Sequence, residues 1–196
     1  MLAIPSAPPG ADAPRPSLFP VVLADPILTY TTRVRGRWNQ RHEITGPDGP
    51  EGVLTIERGT AGMVVGGEFR PTSGEVYTFR RDPGLLRSQF SMWTDGKEWL
   101  GSSLRWSFVA RSVHLSTGTK PFRLLPLPGL RRGWGLYAPK TGEAARIEVG
   151  LFGRNATLHV YRRLDISLLL FAYFLGSQIL LESLLPGPQP EKVVQG

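Results

Sequence analysis

The sequence predicts a mainly-β domain, an antiparallel barrel or sandwich, followed by one apolar helix. Three observations carry that expectation. Between Ile27 and Arg163, short runs alternate apolar and polar residues with period two, the mark of a sheet with one buried face. Turn chemistry separates those runs, with Asp-Gly and Pro-Gly steps where glycine supplies a positive φ. From Ile166 to Leu181 the chain then carries no charge at all.

The composition agrees with a single globular domain. Of 196 residues, 41% are apolar, 10% aromatic and 20% charged, which excludes collagen, coiled coil and a wholly disordered chain. With no cysteine there is no disulfide scaffold, thiolate metal site or cysteine nucleophile. The formal net charge of +7 favours acidic partners such as phosphates, nucleic acid or anionic lipid head groups. The basic residues are mostly arginine and dispersed, with no unbroken basic arm. That dispersal fits ordinary solvated strand faces better than it fits a ligand site.

Residues 1–24 hold Pro5, Pro8, Pro9, Pro14, Pro16 and Pro20. Proline fixes φ and removes donors, so this stretch is expected to be an extended, flexible tail. In the body, Leu54 and Ile56 share an inward face, as do Tyr77 with Phe79 and Leu86, Ser88, Phe90 with Met92. Arg87, Gln89 and Ser91 take the opposite face of that last run. Ile147 and Val149 point inward against Arg146 and Glu148, and Leu158 and Val160 against Thr157 and His159. Gly59, Gly62, Gly66 and Gly67 read as turn or bulge glycines, because no helix follows them to cradle a phosphate.

Asp165 is placed to N-cap the helix, and Pro186-Gly187-Pro188 to follow its end. Apolar all round, such a helix belongs in a protein core or in a membrane. From Ile166 to Leu181 it would span about 24 Å, against a hydrocarbon core of roughly 30 Å. Length leaves both readings open.

Catalytic and metal chemistry is hard to find. His42, His114 and His159 are remote from one another in sequence and fit no metal-ligand spacing. No nucleophile elbow or P-loop occurs. The tryptophans Trp38, Trp93, Trp99, Trp106 and Trp134 could stack bases, although barrel cores consume tryptophan too. No cofactor and no metal are expected.

A family resemblance decides between the helix readings. Trp134-Gly135-Leu136-Tyr137, then Gly142-Glu143-Ala144-Ala145-Arg146-Ile147, leads through two strands to Leu164-Asp165-Ile166-Ser167-Leu168-Leu169-Leu170-Phe171-Ala172. Glu182 closes the helix, and Arg37-Trp38 followed by Glu43-Ile44-Thr45-Gly46-Pro47-Asp48-Gly49 opens the body. This arrangement, over residues 25–185, resembles the tubby C-terminal-like superfamily of tubby-like proteins, phospholipid scramblases and LURP-one-related proteins. The resemblance implies a closed barrel of about twelve strands around a core helix at about 165–183. In that helix Asp165, Leu169, Phe171, Tyr173, Phe174 and Leu180 would be the structural residues, with a flexible tail at 186–196. The chain departs from the scramblases in lacking a cysteine cluster. It has no carboxylate between Gly153 and Arg163, so calcium-triggered scrambling is not implied.

The expected function is therefore a non-enzymatic, lipid-facing or protein-binding module, cytoplasmic or peripheral to a membrane. Candidate head-group residues are Arg33, Arg35 and Arg37, which alternate on one strand face, and Arg131 with Arg132 in a Pro/Gly-rich loop. Two alternatives remain: a β-domain anchored in a membrane by its C-terminal helix, and a nucleic-acid-binding barrel, the weaker of the two.

Overall fold

The computed structural model describes residues 25–36, 40–59, 63–82, 89–95, 98–107, 112–117, 120–128 and 132–182, with the backbone alone at 103–107 and 178–182. The expected tails at 1–24 and 186–196 lie outside the described residues, as do Leu86, Arg87 and Ser88.

Twelve antiparallel strands form one closed barrel: β1 (Leu28–Arg35), β2 (Arg41–Gly46), β3 (Gly49–Arg58), β4 (Val64–Pro71), β5 (Tyr77–Arg81), β6 (Phe90–Thr94), β7 (Trp99–Ser107), β8 (Ser112–Ser116), β9 (Pro121–Pro126), β10 (Gly133–Ala138), β11 (Gly142–Val149) and β12 (Asn155–Val160). Each strand pairs with the next in sequence, and β1 pairs with β12 to complete the ring. Closure satisfies every strand edge. The helix α1 (Ile166–Glu182) follows β12.

Alternation along the strands holds as the sequence predicts. Leu54, Ile56, Phe79, Phe90, Met92, Ile147, Leu158 and Val160 are all buried, facing the interior. Tyr77 and Val149 are half-buried against the same core. Ser91 takes the face expected of it. It lies on the outer side of β6 yet is buried, because the Trp93 indole donates to its Oγ at 2.9 Å and its own hydroxyl donates to Asp82 Oδ1 at 2.7 Å.

The interior is filled by α1. Asp165 Oδ1 accepts from the Ser167 backbone N–H at 2.8 Å and from its hydroxyl at 2.7 Å, so the acid caps the helix as expected. From Ser167 to Gly176 every residue is buried, including Leu169, Phe171, Tyr173 and Phe174. Leu180 is part of the helix, but its side chain lies outside the described residues. An all-apolar surface on every side of a helix is what an enclosing barrel requires. No helix among the described residues is long and apolar enough to cross a membrane.

Gly67 shows how closely helix and wall approach. It is a strand-interior glycine rather than the turn or bulge residue expected, and a Cβ there would sit 2.8 Å from Phe174 Cε2. Gly176 repeats the device on the helix side, where a Cβ would meet Trp134 Cδ1 at 2.7 Å.

Because the strands run alternately up and down, the connections divide between two ends. The β1–β2, β3–β4, β9–β10 and β11–β12 connections lie at the end where α1 finishes. The β2–β3, β10–β11 and β12–α1 connections lie at the end where it starts.

Candidate functional site at the β11–β12 hairpin

The β11–β12 connection is a tight turn. Gly153 N–H donates to Gly150 O at 2.9 Å, and Gly150 N–H to Asn155 O at 2.8 Å. Gly153 takes a φ of 67°, which a glycine adopts without a Cβ clash. Leu151 and Phe152 are the two central residues of this turn and have no wall to lean on. Phe152 is 91% exposed and Leu151 78%. An open concavity of about 570 Å³ lies against them, lined also by Gly150, Arg154 and Asn155.

Arginines reach this tip from both sides. On the β10 side, Arg132 Nη1 donates to Leu151 O at 2.7 Å, and Arg132 O accepts from Val149 N–H at 2.8 Å. On the β1 side, Arg154 O accepts from Val34 N–H at 2.7 Å, and Arg33 sits in register with Asn155. Arg33, Arg132 and Arg154 are exposed. Arg35 shares the outer face of β1 with Arg33 and pairs with Glu43 at 2.9 Å, a contact open to solvent and so weakly stabilising. One member of each arginine group singled out from sequence, Arg33 and Arg132, thus lies beside this hairpin. Arg37 and Arg131 lie outside the described residues.

Leu151, Phe152 and Arg154 are additions that sequence reasoning missed. Their signal was present as two consecutive large apolar residues between Gly150 and Gly153, where a turn ordinarily carries polar residues.

The two barrel ends differ in charge. Among the described residues, Arg35, Arg41, Arg58, Arg81, Arg132 and Arg154 stand at the end carrying the hairpin, with Glu43, Glu57, Asp82 and Glu148. At the opposite end Asp25, Asp48, Glu75, Asp95, Glu98 and Asp165 stand among Lys120, Lys140, Arg162 and Arg163. Trp99, the exposed indole among the described tryptophans, lies at this second end, away from the arginines, while Trp134 is buried and Trp93 half-buried. Trp38 and the Trp106 side chain lie outside the described residues.

Inside the barrel one polar network stands out. Tyr173 Oη lies 2.7 Å from His42 Nδ1 and 3.0 Å from Thr32 Oγ1, and Thr32 Oγ1 accepts from Ala156 N–H at 3.1 Å. The His42 Nε2 atom is buried without a hydrogen-bond partner. Burial first, then the positive charge of Arg58, lowers the His42 pKa to about 4. Burial likewise pushes Tyr173 up to about 12, so the phenol is neutral at pH 7. His159 lies 3.4 Å from Thr29 Oγ1, with its ring beside that of Tyr161. Among the described residues, no group of three or more His, Cys, Asp or Glu side chains is placed to hold a metal ion.

His42 makes stability depend on pH. The unfolded chain takes up a proton near pH 6.5, which the folded chain accepts only near pH 4. The neutral histidine's contribution is therefore complete above pH 6.5 and drains away as pH falls toward 4. The loss is about 3 kcal/mol across that window. Urea unfolding of the parent chain and of His42→Gln at pH 7 and pH 4.5 checks this. The variant is expected to lose less stability on acidification, and equal losses would show that another group is responsible.

No protein-family model, curated protein or solved structure matches this chain.

Proposed function

We propose that this chain is a non-enzymatic, tubby-like barrel that attaches through its basic end to anionic phospholipid head groups. The observation that carries the reading is the convergence of Arg33, Arg132 and Arg154 on one exposed hairpin. Closure of the ring between β1 and β12 brings them there from opposite parts of the chain. Arginine presents a planar fork of donors that matches phosphate oxygens. Close to an anionic membrane each such charge contributes about 1 kcal/mol. The likeness of the sequence to tubby-like proteins and scramblases points the same way.

Flotation on phosphatidylcholine vesicles, with and without phosphatidylserine or a phosphoinositide, tests the proposal. The chain is expected to float with the anionic vesicles and to be released as salt rises. The double variant Arg33→Glu, Arg154→Glu reverses two charges and should weaken binding by more than about tenfold. Equal recovery on neutral and anionic vesicles, indifferent to these changes, would overturn the reading.

A further inference from the structure

The basic end carries a second apolar point. In the β3–β4 connection, Gly59 N–H donates to Met63 O at 2.8 Å. Met63 is 50% exposed and Val65, at the start of β4, 44%. Among the described residues, the remaining exposed large apolar side chains, Ile27, Leu28 and Trp99, lie at the other end of the barrel.

Around the wall β11–β12, β1–β2 and β3–β4 are successive hairpins. Arg35 and Arg41, in register across β1 and β2, therefore stand between the two apolar points. Arg33 and Arg154 flank one point and Arg58 the other. Nothing in the fold calls for apolar residues at Leu151 and Phe152. The central positions of a hairpin turn accept polar residues readily, and apolar surface left in water is unfavourable.

Resting on the proposal above, we infer that the β11–β12 tip and the Met63–Val65 stretch entering β4 are twin wedges. Leu151 with Phe152 and Met63 with Val65 enter the boundary between head groups and acyl chains of one anionic bilayer. The arginines between them remain at phosphate level. Apolar points inserted a few ångströms deep beside basic side chains are the general means by which a protein lies on a bilayer without spanning it. A nucleic acid fits less well, because Phe152 is a single ring, and Leu151, Met63 and Val65 offer none on which a second base could stack. A bilayer also suits two separated tips, since its surface meets both at once.

The absence of cysteine makes the test direct. Phe152→Cys, Met63→Cys and Ile27→Cys are each labelled with a fluorophore that brightens on leaving water. On phosphatidylserine-containing vesicles the labels at 152 and 63 are expected to shift to the blue and brighten severalfold. The label at 27, on the opposite end, is expected to stay unchanged. A second variant, Leu151→Ser with Phe152→Ser, should keep the parent melting temperature and lose about tenfold in vesicle partitioning.

If the chain floats with anionic vesicles while the labels at 152 and 63 stay in water, the wedges are refuted and head-group attachment stands. A response at 152 alone refutes the second wedge. Failure of the parent chain to float removes the underlying proposal and this one with it. Shielding of the labels by single-stranded DNA and not by vesicles would assign the surface to nucleic acid and overturn the inference.

Discussion

A chain ending at Arg163 is expected to show no cooperative thermal transition and to bind dyes that report exposed apolar surface. The truncation removes α1, whose residues Leu168 to Leu175 are each at most 5% exposed. Without them Phe79, Phe90, Ile147 and Leu158 face an empty interior. Truncating a single buried leucine costs about 2–5 kcal/mol through lost burial and the cavity left behind. A whole domain is stable by only about 5–15 kcal/mol. Losing the helix exceeds that margin several times over. Circular dichroism and calorimetry of the fragment decide the matter. A soluble fragment with a sigmoidal melt would mean that the barrel stands without its filling.

Phe174→Ala is expected to cost about 4 kcal/mol and to lower the melting temperature by about 10 °C. Phe174 is fully buried, with its ring 4.9 Å from that of Phe79 and in an edge-to-face contact with Phe90 at 5.4 Å. Such pairs contribute about 0.5–1.5 kcal/mol beyond the area they bury. The wall leaves no atom able to relax into the gap from the Gly67 side, because glycine has no side chain to move. Phe174→Leu keeps most of the volume and should lose markedly less. Equal losses for the two variants in calorimetric melts would locate the stability elsewhere.

Much of the fold was legible in the sequence because alternation is a local signal. Leu54 with Ile56 and Leu158 with Val160 declare their inward face within a few residues, and Asp165 declares the helix start by its position before an uncharged run. Closure was not legible from the residues, since a sandwich and a barrel share the same period of two. It came from the resemblance. Ser91 took the outer face that alternation gives it, but its burial depends on Trp93 folding over it from the outside, a tertiary effect that alternation does not encode. The site was half legible. Arg33 and Arg35 share a face by strand geometry alone, but their meeting with Arg132 depends on the pairing of β1 with β12. Leu151 and Phe152 escaped because a glycine-bounded turn drew the reading toward backbone geometry and away from its two apolar passengers.

The order of elements along the chain places a constraint on biogenesis. The filling of the barrel is encoded after all twelve of its staves. Translation delivers roughly 5–20 residues per second, so the segment from Val160 to Glu182 follows the last stave by on the order of seconds. During that delay an apolar lining awaits its occupant, and the first and last staves must also find each other across the whole chain. Non-local pairing of this kind is slow and exposes aggregation-prone surface. The nascent protein therefore passes through a vulnerable interval between the synthesis of β12 and that of α1, when a chaperone that shields apolar surface would matter most.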